Sequence, residues 1–204
     1  QEGLSADSVL QRIRIHKVSA RAYEPEHFAP IATAVVQRRR IVIDHHNRNR
    51  GEVIRREVSP LRLTHYRENW YLDGWCHLRE EIRSFALDAI NRVEASEQEA
   101  LDLDEAEVQA VLDSGYGAFT GKTIEYAELE FTAPRAQWVS KETWHPQQKT
   151  AFTENGSYRL TVPFSNPTEL IMDILRHVPH VKVLGPQSLR ERVQQELKKG
   201  LENL

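Results

Sequence analysis

Asp44, His45 and His46 close an apolar run in the stretch IVIDHHN, residues 41–47. A carboxylate beside two imidazoles is a donor set for a divalent metal, which would activate water for phosphoester hydrolysis. Three donors fall short of a two-metal centre, in which each ion takes roughly four to six ligands. The only Asp-x-Asp, Asp102 and Asp104, lies downstream, and the chain has no Gly-Gly pair. The three β-branched residues predict a strand, on which Asp44 and His46 share one face and His45 takes the other, so the three do not close on one ion. A metal-dependent phosphodiesterase is therefore the least favoured reading. No metal and no cofactor are expected, and the dihistidine His45-His46 is better read as a pocket rim than as a metal site.

Arginine carries a second chemistry. Residues 27–92 hold twelve arginines, no lysine and eight acids, whereas residues 93–134 hold eleven acids and one lysine. The guanidinium is a planar fork suited to phosphate, and aromatic residues interleaved with such forks are the pattern of phosphate neutralisation with base stacking. Arg48, Arg56, Arg79 and Arg83 are the candidate anion contacts, with His45, His65 and Tyr71 beside them. Each has a plainer alternative. Arg56 and Arg83 could pair with Glu57 or Asp88, Arg79 with Glu80 or Glu81, and His65, Tyr66 and His77 could simply face solvent.

The elements that position these residues follow from periodicity. The chain has 204 residues, 40% hydrophobic and 28% charged, with a net charge of −3, which suits two small globular domains. A single cysteine, Cys76, excludes an internal disulfide; it is expected as a buried thiol in a cytoplasmic protein. No apolar run approaches the roughly 20 residues of a membrane span, and the first residues lack the core of a signal peptide. The absence of an initiator Met suggests a fragment of a longer chain. Helical spacing marks residues 5–16 and 26–38, the second with Phe28, Ile31 and Val35 on one stripe. Short β-rich runs then cover 39–93, an acidic stretch with a helix over 104–112 follows, and from Ile124 strands alternate with helices at 134–144, 167–177 and 188 onward. Asn166 or Ser165, and Ser188, are the expected N-caps. On the strand NWYLDGWC, Trp70 and Leu72 are expected in the core, with Tyr71 on the opposite face.

From Arg56 to Ile90 the sequence resembles the WYL domain, named for the triplet that stands here as Trp70-Tyr71-Leu72. Arg56 ahead of Val58-Ser59-Pro60, and the later Arg83, Phe85, Leu87, Asp88 and Ile90, complete the signature in order and spacing. Residues 170–177 and 181–197 are similar to the C-terminal extension that accompanies WYL domains. The resemblance implies mixed α and β architecture: a linker helix over 1–25, a small Sm-like or SH3-like β-barrel over 26–95 as ligand sensor, an acidic connector over 96–123, and a small α+β sandwich over 124–204. It adds Ser59 to the candidate contacts. Two positions depart from many WYL domains: His45 stands where they have Tyr, and Ala89 where they have Arg.

By the same resemblance the chain is the sensing and dimerising part of a bacterial transcriptional regulator, not an enzyme. It is expected to bind a nucleotide, oligonucleotide or single-stranded nucleic acid and to form a homodimer. A winged helix domain outside these residues would contact duplex operator DNA, in the context of stress or phage-defence operons. The alternative is a pure oligomerisation module without a ligand.

Overall fold

The computed structural model describes residues 25–48, 50–113, 115–117 and 123–204. The helix expected at 5–16 lies outside the described residues. The chain divides into two compact units, one running to Glu81 and including Phe85–Leu101, the other made of Ile82–Ser84 and Asp102–Leu204.

The first region opens with helix α1 (Pro25–Gln37), followed by β1 (Arg39–Asn47), β2 (Glu52–Tyr66), β3 (Asn69–Cys76), β4 (Glu81–Ala86), a 3-10 turn at Leu87–Ala89 and β5 (Ile90–Glu99). The sheet order is β4-β3-β2-β1-β5. Its two outer strands are not neighbours in that order, so among the described residues the sheet is open where a closed barrel was expected. A register shift between Pro60 and Arg62 marks a bulge in the long strand β2, which bends the sheet locally. Ile41, Ile43, Val58, Leu72, Cys76 and Phe85 form the core on one face, and α1 covers them with Ile31 and Ala34. Leu72 is fully buried, Trp70 packs against the same core, and Tyr71 takes the other face, as strand alternation predicts.

Strand β5 corrects the sequence reading of the acidic stretch. It runs to Glu99, beyond the expected start of the connector at 96, and pairs with β1 from Arg39↔Glu99 to His45↔Ile90. Its Glu94 pairs with Arg55 of β2, on the far side of β1, and, at 3.0 Å, with Arg92 of β5 itself. The charge that looked like a solvated linker is one half of a cross-strand complement.

Gly74 marks the tightest approach in this sheet. A Cβ there would stand 2.6 Å from Cγ1 of Val58 and 2.8 Å from the carbonyl oxygen of Ser59. Gly74→Ala is therefore expected to cost about 1–3 kcal/mol by overpacking. Urea unfolding measures it, and an unchanged midpoint would show that the bulge absorbs the methyl group.

In the second unit, helix α2 (Glu105–Leu112) is followed by β6 (Glu125–Phe131), α3 (Ala133–Val139), β7 (Lys149–Phe152), β8 (Tyr158–Phe164), α4 (Pro167–Arg176), β9 (Val181–Gly185) and α5 (Gln187–Glu202). The sheet order is β7-β8-β6-β9, and Leu129 and Leu160 meet across β6 and β8 in a core completed by Leu170, Ile174, Leu189 and Val193. Asn166 caps α4 by accepting from the amide of Thr168, as expected, whereas Ser188 lies inside α5, which begins at Gln187 after Pro186. Helix α3 is shorter than the expected 134–144 because Trp144 turns back to pack on the core.

Candidate ligand site of the first sheet

Strand alternation carries Ile41 and Ile43 inward to full burial, and His45, two residues on, continues that face at its edge. Its ring meets Phe85 edge-on, with centroids 5.3 Å apart. Asp44 and His46 point to the opposite side, where Asp44 lies 3.8 Å from the guanidinium of Arg55. Among the described residues no group of three or more His, Cys, Asp or Glu side chains is placed to hold a metal.

Arg56 stands directly across from Ile43, so it shares the inward face with His45. It is 6% exposed. Nη1 donates to Sγ of Cys76 at 3.5 Å, and Nε is buried with no hydrogen-bond partner among the described residues. No carboxylate among the described residues forms an ion pair with Arg56. The two acids offered by the sequence are engaged elsewhere: Glu57 pairs with Arg40 at 3.5 Å, and Asp88, held by the 3-10 turn, pairs with Arg48. A buried guanidinium without a carboxylate partner is costly, and an anion delivered to it would recover that cost.

The other candidates are dispersed. Tyr71 is 5% exposed and lies across from Thr64 on the face away from Arg56. On that same face Asp73 accepts from Thr64 Oγ1 at 2.6 Å and from Arg62 Nε at 3.1 Å. Ser59 is fully buried there, with Oγ 2.9 Å from His77 Nε2 and accepting the Leu101 amide at 2.9 Å. His65 is exposed, its ring 4.9 Å from that of Trp70. Arg79 is exposed in the turn after β3. Arg83 stands two residues before Phe85 on β4, so strand alternation gives the two side chains the same face; it is half-buried, within the stretch that groups with the second unit.

The structure therefore brings His45 and Arg56 to one face and places Ser59 and Tyr71 on the other. His77, read from the sequence as solvent-facing, is half-buried and bonded to Ser59. Burial, with Arg40 adding to it and Glu57 opposing, holds its imidazole pKa below the ordinary value. Nothing local to His77 announces that role, since its partner is eighteen residues away.

Comparison with known proteins matches a WYL domain to residues 26–95 and a WCX domain to residues 123–201. Protein PafC of Mycobacterium tuberculosis is 26% identical over 166 residues, covering 81% of this chain and 51% of that protein. Protein PafC of Mycobacterium leprae is 22% identical over 191 residues, covering 93% and 57%. The chain thus spans about half the length of these curated relatives. Among solved structures, the proteasome accessory factor B/C (PafBC) of Arthrobacter aurescens matches at 27% identity and a TM-score of 0.40, covering 92% of this chain and 29% of that one. A CRISPR Cas-related protein matches at 12% identity and a TM-score of 0.53, covering 87% and 52%, a likeness of fold.

Proposed function

The chain belongs to the WYL-domain family, as a WYL domain followed by a WCX domain, and from that premise we propose that it is the ligand-sensing part of a bacterial transcriptional regulator. The ligand is a nucleotide, an oligonucleotide or a single-stranded nucleic acid end, bound by phosphate at Arg56 with His45 beside it. Occupancy governs a DNA-reading domain outside this chain, and the WCX domain supports a homodimer. The role is regulatory, not catalytic. Among the described residues no helix is long and apolar enough to cross a membrane.

The observation that carries this reading is the buried guanidinium of Arg56, which has no carboxylate partner among the described residues. An arginine in that state is matched by an anion, and phosphate offers the geometry of its fork. Titrating a fluorescently labelled single-stranded 12-mer at two salt concentrations tests the reading. The logarithm of the binding constant is expected to fall with the logarithm of salt by about 0.7 for each phosphate neutralised. Absence of any salt-dependent binding, to this oligonucleotide or to mononucleotides, would remove the nucleic-acid ligand.

His45 adds a second expectation. An anion beside the ring favours its protonated form, so binding takes up a proton and tightens as pH falls from about 8 to about 6, across the ordinary histidine range near 6.5. His45→Tyr is expected to retain binding and flatten that dependence. The same slope in the tyrosine variant would place His45 outside the ligand's reach.

A further inference from the structure

The three arginines at the start of the first sheet hold backbone. Arg38 donates from Nη1 to the carbonyl of Pro60 at 2.9 Å and from Nη2 to that of Leu101 at 3.2 Å, while its own carbonyl accepts the Ala100 amide at 2.9 Å. Arg39 donates to the carbonyl of Glu97, and Nε of Arg40 to that of Glu99 at 2.9 Å. From the other side, Ser59 Oγ accepts the Leu101 amide while standing 2.9 Å from His77 Nε2. Apart from the bonds of Arg38 to Pro60 and of Ser59 to His77, these contacts converge on 97–101, the last residues of the first unit, which ends at Leu101.

We infer that Ser59, His77 and Arg38 form a clasp on Leu101, closed while His77 is neutral and opened by its protonation, which fixes the point where the chain leaves the first unit. The inference is independent of any ligand at Arg56.

The proton count explains the switch. With neutral His77 protonated on Nδ1, Nε2 accepts the Ser59 hydroxyl proton, and the serine oxygen keeps lone pairs for the Leu101 amide. The serine hydroxyl and the Leu101 amide are then both satisfied. Protonation of Nε2 turns the imidazole into a donor toward the same oxygen, so the hydroxyl proton of a fully buried serine loses its acceptor. An unmatched buried donor is the costly outcome, and it is relieved by releasing the serine from Leu101 or from His77.

The charges around His77 set the pH at which this occurs. Arg40 on β1 opposes the imidazolium, Glu57 on β2 favours it, and the two pair with each other at 3.5 Å. Burial and Arg40 outweigh Glu57, so the ring stays neutral at neutral pH and the clasp is closed. A histidine depressed in the folded state contributes stability that is full above the unfolded value near 6.5 and is lost as pH falls through the folded value. Opening therefore belongs to the acid side of the histidine range.

Hydrogen exchange of the full chain, resolved by amide and corrected for intrinsic pH dependence, tests the clasp. At pH about 8, Ser59→Ala is expected to lower protection of the Leu101 amide about tenfold, with Ile43 and Leu72 unchanged. Arg38→Gln removes the other hold on Leu101 without touching the buried serine and is expected to act in the same direction. Between pH about 8 and about 5.5, protection at Leu101 is expected to fall several-fold in the unaltered chain. In His77→Gln, whose neutral amide still offers Ser59 an acceptor, it is expected to stay flat. Unchanged protection of Leu101 in both Ser59→Ala and Arg38→Gln, or the same pH course in His77→Gln as in the unaltered chain, overturns the inference.

Discussion

Arg56→Met is expected to weaken binding of a phosphate-bearing ligand by roughly thirty-fold to several thousand-fold while leaving the fold intact or more stable. Both halves follow from the burial of one guanidinium. At 6% exposure, with Nε unsatisfied and a thiol accepting from Nη1, Arg56 is a buried guanidinium with no carboxylate partner among the described residues. Removing one partner of a buried charge pair costs about 2–5 kcal/mol of binding, which sets the range. Methionine keeps much of the length and fills the space against Ile43 and Cys76 with apolar atoms, so the free protein loses a desolvation penalty without gaining a cavity. Arg56→Lys tests the geometry of the fork, since an ammonium keeps the charge but not the planar pair of donors. Thermal unfolding beside titration of the labelled 12-mer separates the two effects. An unaltered affinity in Arg56→Met would sink the assignment, and a large loss of stability would show that Arg56 serves the fold.

His177→Leu is expected to stabilise the second unit and to remove much of its sensitivity to acid. His177 follows α4 and is 4% exposed, packed between Phe131 at 5.4 Å and Trp144 at 5.7 Å between ring centroids. Neither ring nitrogen has a hydrogen-bond partner among the described residues. Burying such a polar group unmatched costs about 1–3 kcal/mol, which an apolar side chain of similar size recovers. The charged groups around it oppose one another. Burial is the main cause of its lowered pKa, Arg176 and Arg135 add to it, and Glu142 and Asp173 act against it. Because the folded state disfavours the imidazolium, the unfolded chain takes up the proton first. Stability is then full above about 6.5 and falls as pH drops through the folded value. Thermal unfolding of the unaltered chain and of His177→Leu at pH about 7.5 and about 5 measures both effects. A leucine variant that melts lower at neutral pH, or that keeps the full acid shift, would mean that the ring is satisfied in solution.

The sequence by itself determined the features encoded within a few residues of one another. Alternation in 41–47 and 69–76 sent Ile41, Ile43, Trp70 and Leu72 to one face and Tyr71 to the other, and the sheet kept that division. The stripe Phe28, Ile31 and Val35 placed α1 on the core, and Asn166 ahead of Pro167 marked the start of α4. The signature around Trp70-Tyr71-Leu72 identified the family that the comparison confirmed. Only the tertiary structure decided which charges meet. Twelve arginines and eight acids within 27–92 allow many pairings of similar local plausibility. Register across 40 and 17 residues selected Arg48 for Asp88 and Arg40 for Glu57, leaving Arg56 opposite Ile43. The same registers made the acidic 94–99 a strand, turned Ser59 and His77 toward each other, and parted Tyr71 from Arg56. A side chain's face is fixed by its neighbours in sequence, but its partner is fixed by which strand lies alongside and at what offset, which no short window of sequence contains.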